Sequence, residues 1–440
     1  STWSSEEISR LLQRYIGSGW DKSLLNGSEM KNIDSILPEE LWNAHQTARY
    51  RLIATIRRRQ QEALKAKGAP AIEIERAANI LENDTLTIGF ARRFASYKRA
   101  TLILHDFERF KKLVTNKEQP IQIIFFFKAH TQDNVGKELI QEIYNLTKDE
   151  ELNKRVVFLE DYDMFIAERM VQGVDVWLNN PRRPREASGT SGMKAALNGV
   201  INCSILDGWW DEAYNGKNGW AIGKGEIYDD LDYQEHKEAQ YLYHLLEDEI
   251  IPAYYQNKDR QIPEDWINMM KESMKSILSY FSSYRMVHEY KTLTYLPAYE
   301  QYEYLSKNNY ENCRTKSSNY LNIRNKWEKI KIDPPATDKD LNALRVDEKV
   351  NVTVNVYLDD IDPTIVDIEV FFGPVGPLNT IIHSNLVKMN LDKDKGNGNF
   401  QYSATIDCEH AGRYGFTVRA VPKDNIWKDS IPGLITWAAL

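Results

Sequence analysis

One nine-residue stretch, Glu186 to Lys194 (Glu-Ala-Ser-Gly-Thr-Ser-Gly-Met-Lys), combines residue types that suit an anion-binding or covalent site. Its glycines let a ligand approach the backbone, and an apolar helical pattern begins at Met193. The first turn of a helix has N–H groups without intrahelical partners, which favour a phosphate or carboxylate. Lys194 adds a charge or, if its pKa is lowered, an amine able to form a Schiff base. A Gly/Ser-rich turn with Lys194 in solvent explains these residues alone equally well.

A second cluster places four cations in eight residues, Arg92 to Arg99 (Arg-Arg-Phe-Ala-Ser-Tyr-Lys-Arg). It follows the strand-like residues 85–90 and therefore occupies the carboxyl end of a predicted strand, where open α/β sheets bind ligands. Cations at a helix start are unfavourable because the helix dipole repels them, and a bound polyanion would remove that conflict. A solvated basic helix start is the alternative for the octet taken alone.

Together these clusters resemble the α-glucan (glycogen and maltodextrin) phosphorylase family, in particular its short prokaryotic branch. Segments similar to those of the family occur, in its order, at residues 89–99, 127–130, 158–162, 186–199, 206–210 and 215–220. The resemblance covers roughly residues 1–300. It implies a glycosyltransferase that catalyses reversible phosphorolysis of α-1,4-glucan ends to glucose 1-phosphate.

The resemblance also implies a cofactor and the residues that bind it. Lys194 would hold pyridoxal 5'-phosphate covalently, and the cofactor's phosphate would take part in the reaction. Thr190 and the neighbouring amides would bind that phosphate, Arg92 would lie beside it, and Tyr162 would contact the cofactor. Asp163 stands where larger relatives have arginine, so no cofactor role is assigned to it.

The resemblance places the substrate on a further set of residues. Arg93 and Lys98 would clamp the substrate phosphate and, with the cofactor lysine, form the expected catalytic set. Glu186, Ser188 and Gly189 would bind the hydroxyls of the glucosyl unit. Two neighbouring phosphates repel each other and share a proton, and the cations would offset that repulsion.

The elements around these clusters alternate between strand and helix. Strands are predicted at residues 84–90, 121–128, 155–159, 174–178 and 200–205, and helices at 99–114, 134–148, 163–171 and 192–198. This alternation predicts an α/β fold with a parallel, doubly wound sheet. With the resemblance, it corresponds to the Rossmann-like C-terminal half of a two-lobed (GT-B) glycosyltransferase.

The pattern changes to alternating apolar and polar residues after about residue 335, which predicts a small antiparallel β-sandwich. The expected organisation is a Rossmann-like catalytic half with flanking helices (1–300) that binds pyridoxal phosphate and phosphate, a helical linker (301–335) and the sandwich (336–440). Aromatic residues in the strand patterns are interpreted as core; they are Tyr357, Phe371, Phe372, Tyr414 and Phe416. The role of the sandwich stays open between glucan binding, oligomer contacts and covering the α/β domain.

Composition restricts the partners. A net charge of -8 gives no support for nucleic-acid binding. The sequence shows no signal peptide and no membrane span. Its three cysteines have no metal-ligand spacing and fit reduced thiols in a cytoplasm. A homo-oligomer is compatible with these properties.

The chain opens at Ser1 inside the family pattern, so we expect an N-terminally truncated protein. The expected partners are α-1,4-glucan, inorganic phosphate and the missing N-terminal half, without which the fragment would be weak or inactive. Two alternatives stay open. One is a nucleotide-sugar-dependent glucosyltransferase such as a glycogen synthase, and the other is a noncatalytic carbohydrate-binding protein.

Overall fold

The computed structural model describes residues 2–22, 27–93, 96–128, 134–160, 163–256, 262–341, 344–375, 381, 384–408, 413–423 and 433–439. The chain divides into two units, Ser1–Leu293 and Thr294–Leu440. Each unit buries hydrophobic residues of its own. The sequence clusters at 92–99 and 186–194 both belong to the first unit.

Among the described residues of the first unit, six strands form one parallel sheet: β1 (Leu86–Arg93), β2 (Ile121–Lys128), β3 (Val156–Leu159), β4 (Val176–Asn179), β5 (Ile201–Ile205) and β6 (Gly219–Ile222). Their spatial order is β3-β2-β1-β4-β5-β6. Every residue of β3, β4 and β5 is buried, as parallel strands are when both faces are covered. The predicted α/β class is confirmed, and β6 is a strand in addition to the five predicted ones.

Helices make up most of the rest of the first unit within the described residues. They are α1 (Glu6–Tyr15), α2 (Gly27–Lys31), α3 (Pro38–Ala66), α4 (Ala71–Ala77), α5 (Phe107–Thr115), α6 (Asn134–Leu146), α7 (Met164–Gly173), α8 (Thr190–Leu197), α9 (Trp209–Ala213), α10 (Leu231–His244), α11 (Ile251–Tyr255), α12 (Glu264–Tyr280) and α13 (Ser283–Glu289). The long helix α3 packs against α7, and a π-helical segment, Leu245–Ile250, joins α10 to α11. Within the described ranges, no helix is both long and apolar enough to cross a membrane.

The helix predicted over residues 99–114 is wrong at its start. The observed α5 begins only at Phe107, where the Asp106 side chain accepts a hydrogen bond from a first-turn amide. Arg99 has a positive φ of 47°, and its guanidinium Nε donates to the carbonyl oxygen of Asn180 at 3.0 Å. This long-range bond fixes Arg99 ahead of α5, and Lys98 is the last residue of a short 3-10 helix, Ser96–Lys98.

A buried charge cluster fastens α3 to the amino ends of two central strands. Asp175, which directly precedes β4, accepts hydrogen bonds from Arg49 Nη1 at 2.9 Å and from the Thr87 amide at 2.8 Å. His45 Nε2 lies 2.8 Å from the same carboxylate. Burial opposes ionisation of Asp175, but Arg49 and His45 hold its pKa below the usual range. The cluster therefore fixes the sheet from the edge opposite to its carboxyl ends.

The second unit begins with α14 (Leu296–Lys326), which non-helical residues 307–310 interrupt. Its strands are β7 (Lys331–Ile332), β8 (Ala336–Thr337), β9 (Lys349–Tyr357), β10 (Val366–Pro374), β11 (Asn385–Lys388), β12 (Asn390–Gly396), β13 (Asn399–Asp407), β14 (Tyr414–Pro422) and β15 (Thr436–Trp437). They form two sheets, β11-β10-β14-β15 and β12-β13-β9-β7, while β8 pairs with β9. Buried residues of both sheets share one core, which confirms the predicted small antiparallel sheets.

The aromatic residues of these strands divide between the core and the surface. Phe372 and Phe416 pack against the core, as predicted. Tyr414 is 42% exposed, which contradicts its interpretation as core. Phe371 follows the fully buried Val370 and therefore points to the opposite face of its strand. The second sheet covers the face of β10 that carries Val370. Because side chains alternate along a strand, Phe371 lies on the uncovered face.

Candidate active site

The two sequence clusters meet at the carboxyl edge of the parallel sheet. β1 lies directly beside β4, although β2 and β3 separate them in sequence. The chain therefore changes direction across the sheet between these strands. β1 ends at Arg92 and Arg93, and the segment after β4 leads through Glu186 into α8. In open α/β sheets, such a switch point leaves a crevice where ligands bind.

Two cations converge on one carboxylate in this crevice. Arg92 Nη1 lies 3.3 Å from Glu186 Oε2, and Lys98 Nζ lies 3.5 Å from the same oxygen. Arg92 is 5% exposed and Glu186 is 7% exposed, so water screens these charges little. Two cations and one carboxylate give these three side chains a net charge of +1, before the nearby Asp207 carboxylate is counted. The structure thus brings together residues that the sequence placed in separate clusters.

Tyr97 adds a hydroxyl to the same cluster. Burial and the negative charge of Glu186 raise the pKa of Tyr97, which keeps the hydroxyl protonated and able to donate. Its carbonyl accepts a hydrogen bond from the Arg182 amide at 2.7 Å, which ties the basic segment to the loop before Glu186. Tyr97 is not among the predicted site residues, although it lies next to Lys98 in the sequence.

The loop after β5 fixes the backbone of Glu186. Asp207 Oδ2 accepts a hydrogen bond from the Glu186 amide at 2.9 Å, and its Oδ1 accepts one from the Gly208 amide at 2.9 Å. Gly208 has a φ of 58°, and a Cβ there would lie 2.6 Å from the Ser188 carbonyl oxygen. Only glycine permits this contact without displacing the loop. Asp207 and Gly208 lie in the segment 206–210 that is similar to the family, but the resemblance implies no function for either residue.

The start of α8 is open to ligands. Gly189 precedes the helix in a left-handed conformation, with φ 78° and ψ 45°. Ser188 and Thr190 are exposed on either side of it. An ideal Cβ on Gly189 would lie 3.4 Å from Glu186 Oε1, so the absence of a side chain leaves space beside this carboxylate oxygen. The glycine therefore serves both the turn and the space beside Glu186.

Lys194 lies in the last turn of the same helix. Its Nζ is 3.8 Å from the centroid of the Trp3 ring. Burial lowers the pKa of Lys194, because desolvation disfavours the charged amine. Asn198 Nδ2 donates to the carbonyl oxygens of Lys194 and Trp3, at 2.9 and 2.8 Å, and so holds the ring beside the amine. A neutral lysine amine is a nucleophile towards carbonyl carbon.

Two of the predicted residues lie wholly or partly outside the described residues. Tyr162 is one of them, and the backbone of Arg93 is described as the last residue of β1 but its side chain is not. The neighbouring Asp163 is described, and its carboxylate caps α7 by accepting from the Ile166 amide at 2.9 Å. It also forms an ion pair with Arg59, so Asp163 has a structural role.

Comparison with known families gives two matches along the chain. A model described as carbohydrate phosphorylase matches residues 2–319, and one described as glycogen phosphorylase C-terminal domain matches residues 327–439. The second match covers the antiparallel sheets. The sandwich therefore has counterparts in other proteins and is not an addition peculiar to this chain.

Individual relatives show the same similarity. The chain is 40% identical to a maltodextrin phosphorylase of Thermococcus litoralis, over 99% of this chain and 51% of the relative. It is 48% identical to a glycogen phosphorylase of Aquifex aeolicus over 66% of this chain and 41% of the relative. A glycogen phosphorylase of Mycobacterium tuberculosis is 32% identical over 99% of this chain and 50% of its own length. The chain spans about half the length of the curated relatives it matches.

Proposed function

The chain belongs to the carbohydrate phosphorylase family, and we propose that it supplies the cofactor- and phosphate-binding part of an α-glucan phosphorylase. The proposed reaction is reversible phosphorolysis of α-1,4-glucan ends by inorganic phosphate to give glucose 1-phosphate. The convergence of Arg92 and Lys98 on Glu186 is the observation that carries this proposal. It joins anion-binding groups to a hydrogen-bond acceptor suited to sugar hydroxyls.

The residues present fit pyridoxal 5'-phosphate. Lys194 has an amine of lowered pKa, which suits covalent attachment to an aldehyde. Exposed Thr190 opens α8, where the first-turn amides favour a phosphate. When bound, the cofactor supplies a phosphate group that can exchange a proton with the substrate phosphate. In this proposal Arg92 lies beside the cofactor phosphate, and Tyr162 contacts the cofactor.

The substrate phosphate is assigned to Arg93 and Lys98. Lys98 lies at the carboxyl edge of the sheet, where its amine can move from Glu186 to a phosphate oxygen without leaving the cluster. A phosphate dianion offers charge-assisted bonds that are stronger than those between neutral groups. These cations also reduce the repulsion between two phosphates and so favour their close approach during phosphorolysis.

The glucosyl unit is assigned to Glu186, Ser188 and Gly189. A carboxylate accepts hydrogen bonds from sugar hydroxyls, and Asp207 holds the Glu186 backbone in place for this. The protonated hydroxyl of Tyr97 is a further donor in the same cluster. Positioned donors and acceptors of this kind stabilise the oxocarbenium-like transition state without reorganising during the reaction.

Because the chain spans about half of its relatives, the N-terminal half is proposed to supply the other wall of the catalytic cleft. The division into a catalytic half (1–300), a linker (301–335) and a sandwich (336–440) stays a prediction. Cytoplasmic location and homo-oligomer formation also stay predictions.

The two alternatives have less support. The carbohydrate phosphorylase match over residues 2–319 favours phosphorolysis over transfer from a nucleotide sugar. A noncatalytic glucan-binding protein has no need of a half-buried lysine amine of lowered pKa. An absorbance experiment separates all three.

The purified chain is incubated with pyridoxal 5'-phosphate, and its visible absorbance is recorded before and after borohydride reduction. A chromophore that reduction converts into a stable adduct on Lys194, mapped by peptide mass spectrometry, supports the phosphorylase. Lys194→Ala is expected to abolish the adduct. Lys217→Ala, at an exposed loop lysine, is the matched control and should leave it unchanged.

Absence of any specific Lys194 adduct, with the chain folded, contradicts the cofactor proposal. Saturable binding of a nucleotide sugar without a chromophore would favour the synthase. Glucan binding that persists in Lys194→Ala and Lys98→Ala, without turnover when the relatives' full length is restored, would favour the noncatalytic protein.

A further inference from the structure

An aromatic pair lies on the outer face of the sheet β11-β10-β14-β15. The rings of Phe371 and Trp437 meet edge to face, with centroids 5.3 Å apart and planes at 86°. Trp437 is 45% exposed, whereas Val370, beside Phe371 on β10, is fully buried in the core. A large indole surface therefore stands in solvent, supported from the side by a second ring.

A polar pair lies directly beside these rings. Arg419 pairs in register with Glu369 on one side and with Trp437 on the other. Its guanidinium carbon is 5.6 Å from the centroids of both aromatic rings. Arg419 Nε and Nη2 donate to Glu369 Oε2 at 3.0 and 2.8 Å. The third guanidinium nitrogen, Nη1, takes part in neither of these two bonds. Glu369 is only 6% exposed, so it acts as the buried partner that fixes the Arg419 guanidinium next to the indole.

The charges on this face cancel in pairs. Besides Arg419 and Glu369, Lys388 Nζ lies 2.5 Å from Asp367 Oδ1 across the adjacent strands. A nucleic acid or an anionic lipid surface would require an excess of cations, which these residues do not provide. An exposed ring beside paired polar groups suits an uncharged ligand that has both apolar C–H surfaces and hydroxyls.

We propose that this face is a second α-glucan-binding site, separate from the crevice at the parallel sheet. The Trp437 ring packs against the C–H face of a glucosyl unit and removes apolar surface from water. The Arg419 guanidinium, which Glu369 holds in place, donates a hydrogen bond to a hydroxyl of the same or the next unit. The choice of glucan as the ligand rests on the proposed function, since the face alone selects only a neutral polyhydroxylated chain.

A second binding site has a consequence for a polymeric substrate. Glucan held at the sandwich stays at a raised effective concentration around the protein, so that chain ends bind again after release. This increase in apparent affinity should appear with long branched glucans. It should be absent with maltotriose, because one maltotriose molecule occupies only one site at a time.

The test measures glucan binding of the full 440-residue chain. Affinity electrophoresis in native gels containing glycogen is compared with gels containing dextran, and maltoheptaose is titrated calorimetrically. Trp437→Ala should weaken the dissociation constant for glycogen by about tenfold, the effect of one lost aromatic contact. Trp437→Phe, which keeps an aromatic face, should recover much of it.

Tyr414→Ala is the matched control, because Tyr414 is similarly exposed and lies in β14 on the opposite face from Arg419. It should bind glycogen as the unaltered chain does. Thermal unfolding of each variant establishes that the sandwich is folded. If Trp437→Ala does not fold, Trp437→Phe and Arg419→Lys provide the comparison.

Unchanged glycogen retardation in folded Trp437→Ala would overturn the proposal, as would no retardation of the unaltered chain. Loss of all retardation in Glu186→Gln would do the same, because it would assign the binding to the crevice. These outcomes leave the proposed function untouched, since the Lys194 adduct measures it independently of glucan.

Discussion

Glu186 is the residue on which the candidate site depends most. Its carboxylate has Arg92 and Lys98 within 3.5 Å of one oxygen, and its amide is bound by Asp207. The side chain and the backbone are therefore fixed by different elements. If a ligand binds one of the two cations, the other cation and the Asp207 carboxylate still fix the position of Glu186.

Asp207→Asn should loosen the Glu186 loop while leaving the fold intact. The amide can accept only one of the two backbone N–H bonds that Asp207 accepts now, so at least one charge-assisted bond is lost. We expect amide hydrogen exchange in the peptide containing Glu186 to accelerate about tenfold or more. Asp211→Asn, which affects an exposed ion pair with Arg183, is the control. Equal exchange in both variants would contradict the positioning role of Asp207.

Lys194 should react with aldehydes at a lower pH than an ordinary lysine. Burial lowers its pKa from 10.5, so the neutral, nucleophilic amine accumulates at lower pH. The rate of borohydride-trapped adduct formation with pyridoxal 5'-phosphate is measured against pH by peptide mass spectrometry. We expect the midpoint for Lys194 below 10.5. A midpoint at or above that value would contradict the effect of burial.

At the scale of elements, separate contacts fix the two edges of the parallel sheet. At the amino edge, Asp175 joins Arg49 of α3 to the strands. At the carboxyl edge, the loops after β1, β4 and β5 converge on Glu186. The buried cluster holds the strands in register, and the loops can then carry ligand-binding residues without also supporting the fold.

Asp175→Asn should destabilise the first unit strongly. It leaves the fully buried Arg49 charge without a counter-charge, which typically costs about 3–5 kcal/mol. The free energy of unfolding is measured with urea, following a signal of the first unit. Asp211→Asn, which breaks an exposed ion pair, should cost less than about 1 kcal/mol. Similar losses in the two variants would show that burial of the cluster is unimportant.

Glu82 should make the stability of the sheet depend on pH. Burial opposes its ionisation, but Lys154, Thr85 and Arg155 lower the pKa of Glu82 to about 2, from 4.5. The stabilisation is therefore complete above pH 4.5 and is lost as the pH falls from 4.5 towards 2.

Glu82→Gln should lower the free energy of unfolding by about 1–2 kcal/mol at neutral pH, a value reduced for partial exposure. The difference from the unaltered chain should shrink as urea titrations approach pH 2. Glu62→Gln, at an exposed position in α3, is the control. A difference that stays constant with pH would contradict the assignment to ionised Glu82.

At the scale of the whole molecule, the chain contains about half the length of its curated relatives. Its described site lies at the carboxyl edge of one sheet, where a two-lobed enzyme has the wall of a cleft. The second unit has a hydrophobic core of its own. Binding and turnover can therefore be separated experimentally.

The 440-residue chain alone should form little or no glucose 1-phosphate from glycogen and phosphate, while still forming the Lys194 adduct. Turnover should appear when the chain is part of a polypeptide of the relatives' length, because an opposing lobe excludes water and completes sugar binding. A coupled assay for glucose 1-phosphate measures both proteins. Vigorous turnover by the chain alone would contradict the need for the other half.

Sequence patterns predicted the local features of this protein. Apolar runs such as residues 121–128 predicted strands, alternation with helices predicted the parallel sheet, and glycines marked the turn before α8. Period-two alternation predicted β9 and β13 in the second unit. These features depend on neighbouring residues, whose spacing the sequence states directly. The residues assigned to the candidate site came from the resemblance, and their functions stay predictions.

Only the tertiary structure decided which distant residues meet. Because β1 pairs with β4, Arg92 lies within 3.3 Å of Glu186. Because the two antiparallel sheets pack on each other, Phe371 lies on the outer face of its sheet and contacts Trp437. The observed helix α5 begins at Phe107, and the residues 99–106 that were predicted to belong to it lie outside it. One of them, Arg99, makes a long-range hydrogen bond to Asn180 instead. Periodicity gives the faces of an element but not its partners, because pairing depends on the packing of the whole core. The sequence thus determined which side chains are present and which local elements carry them. The tertiary packing determined which of these side chains lie in contact.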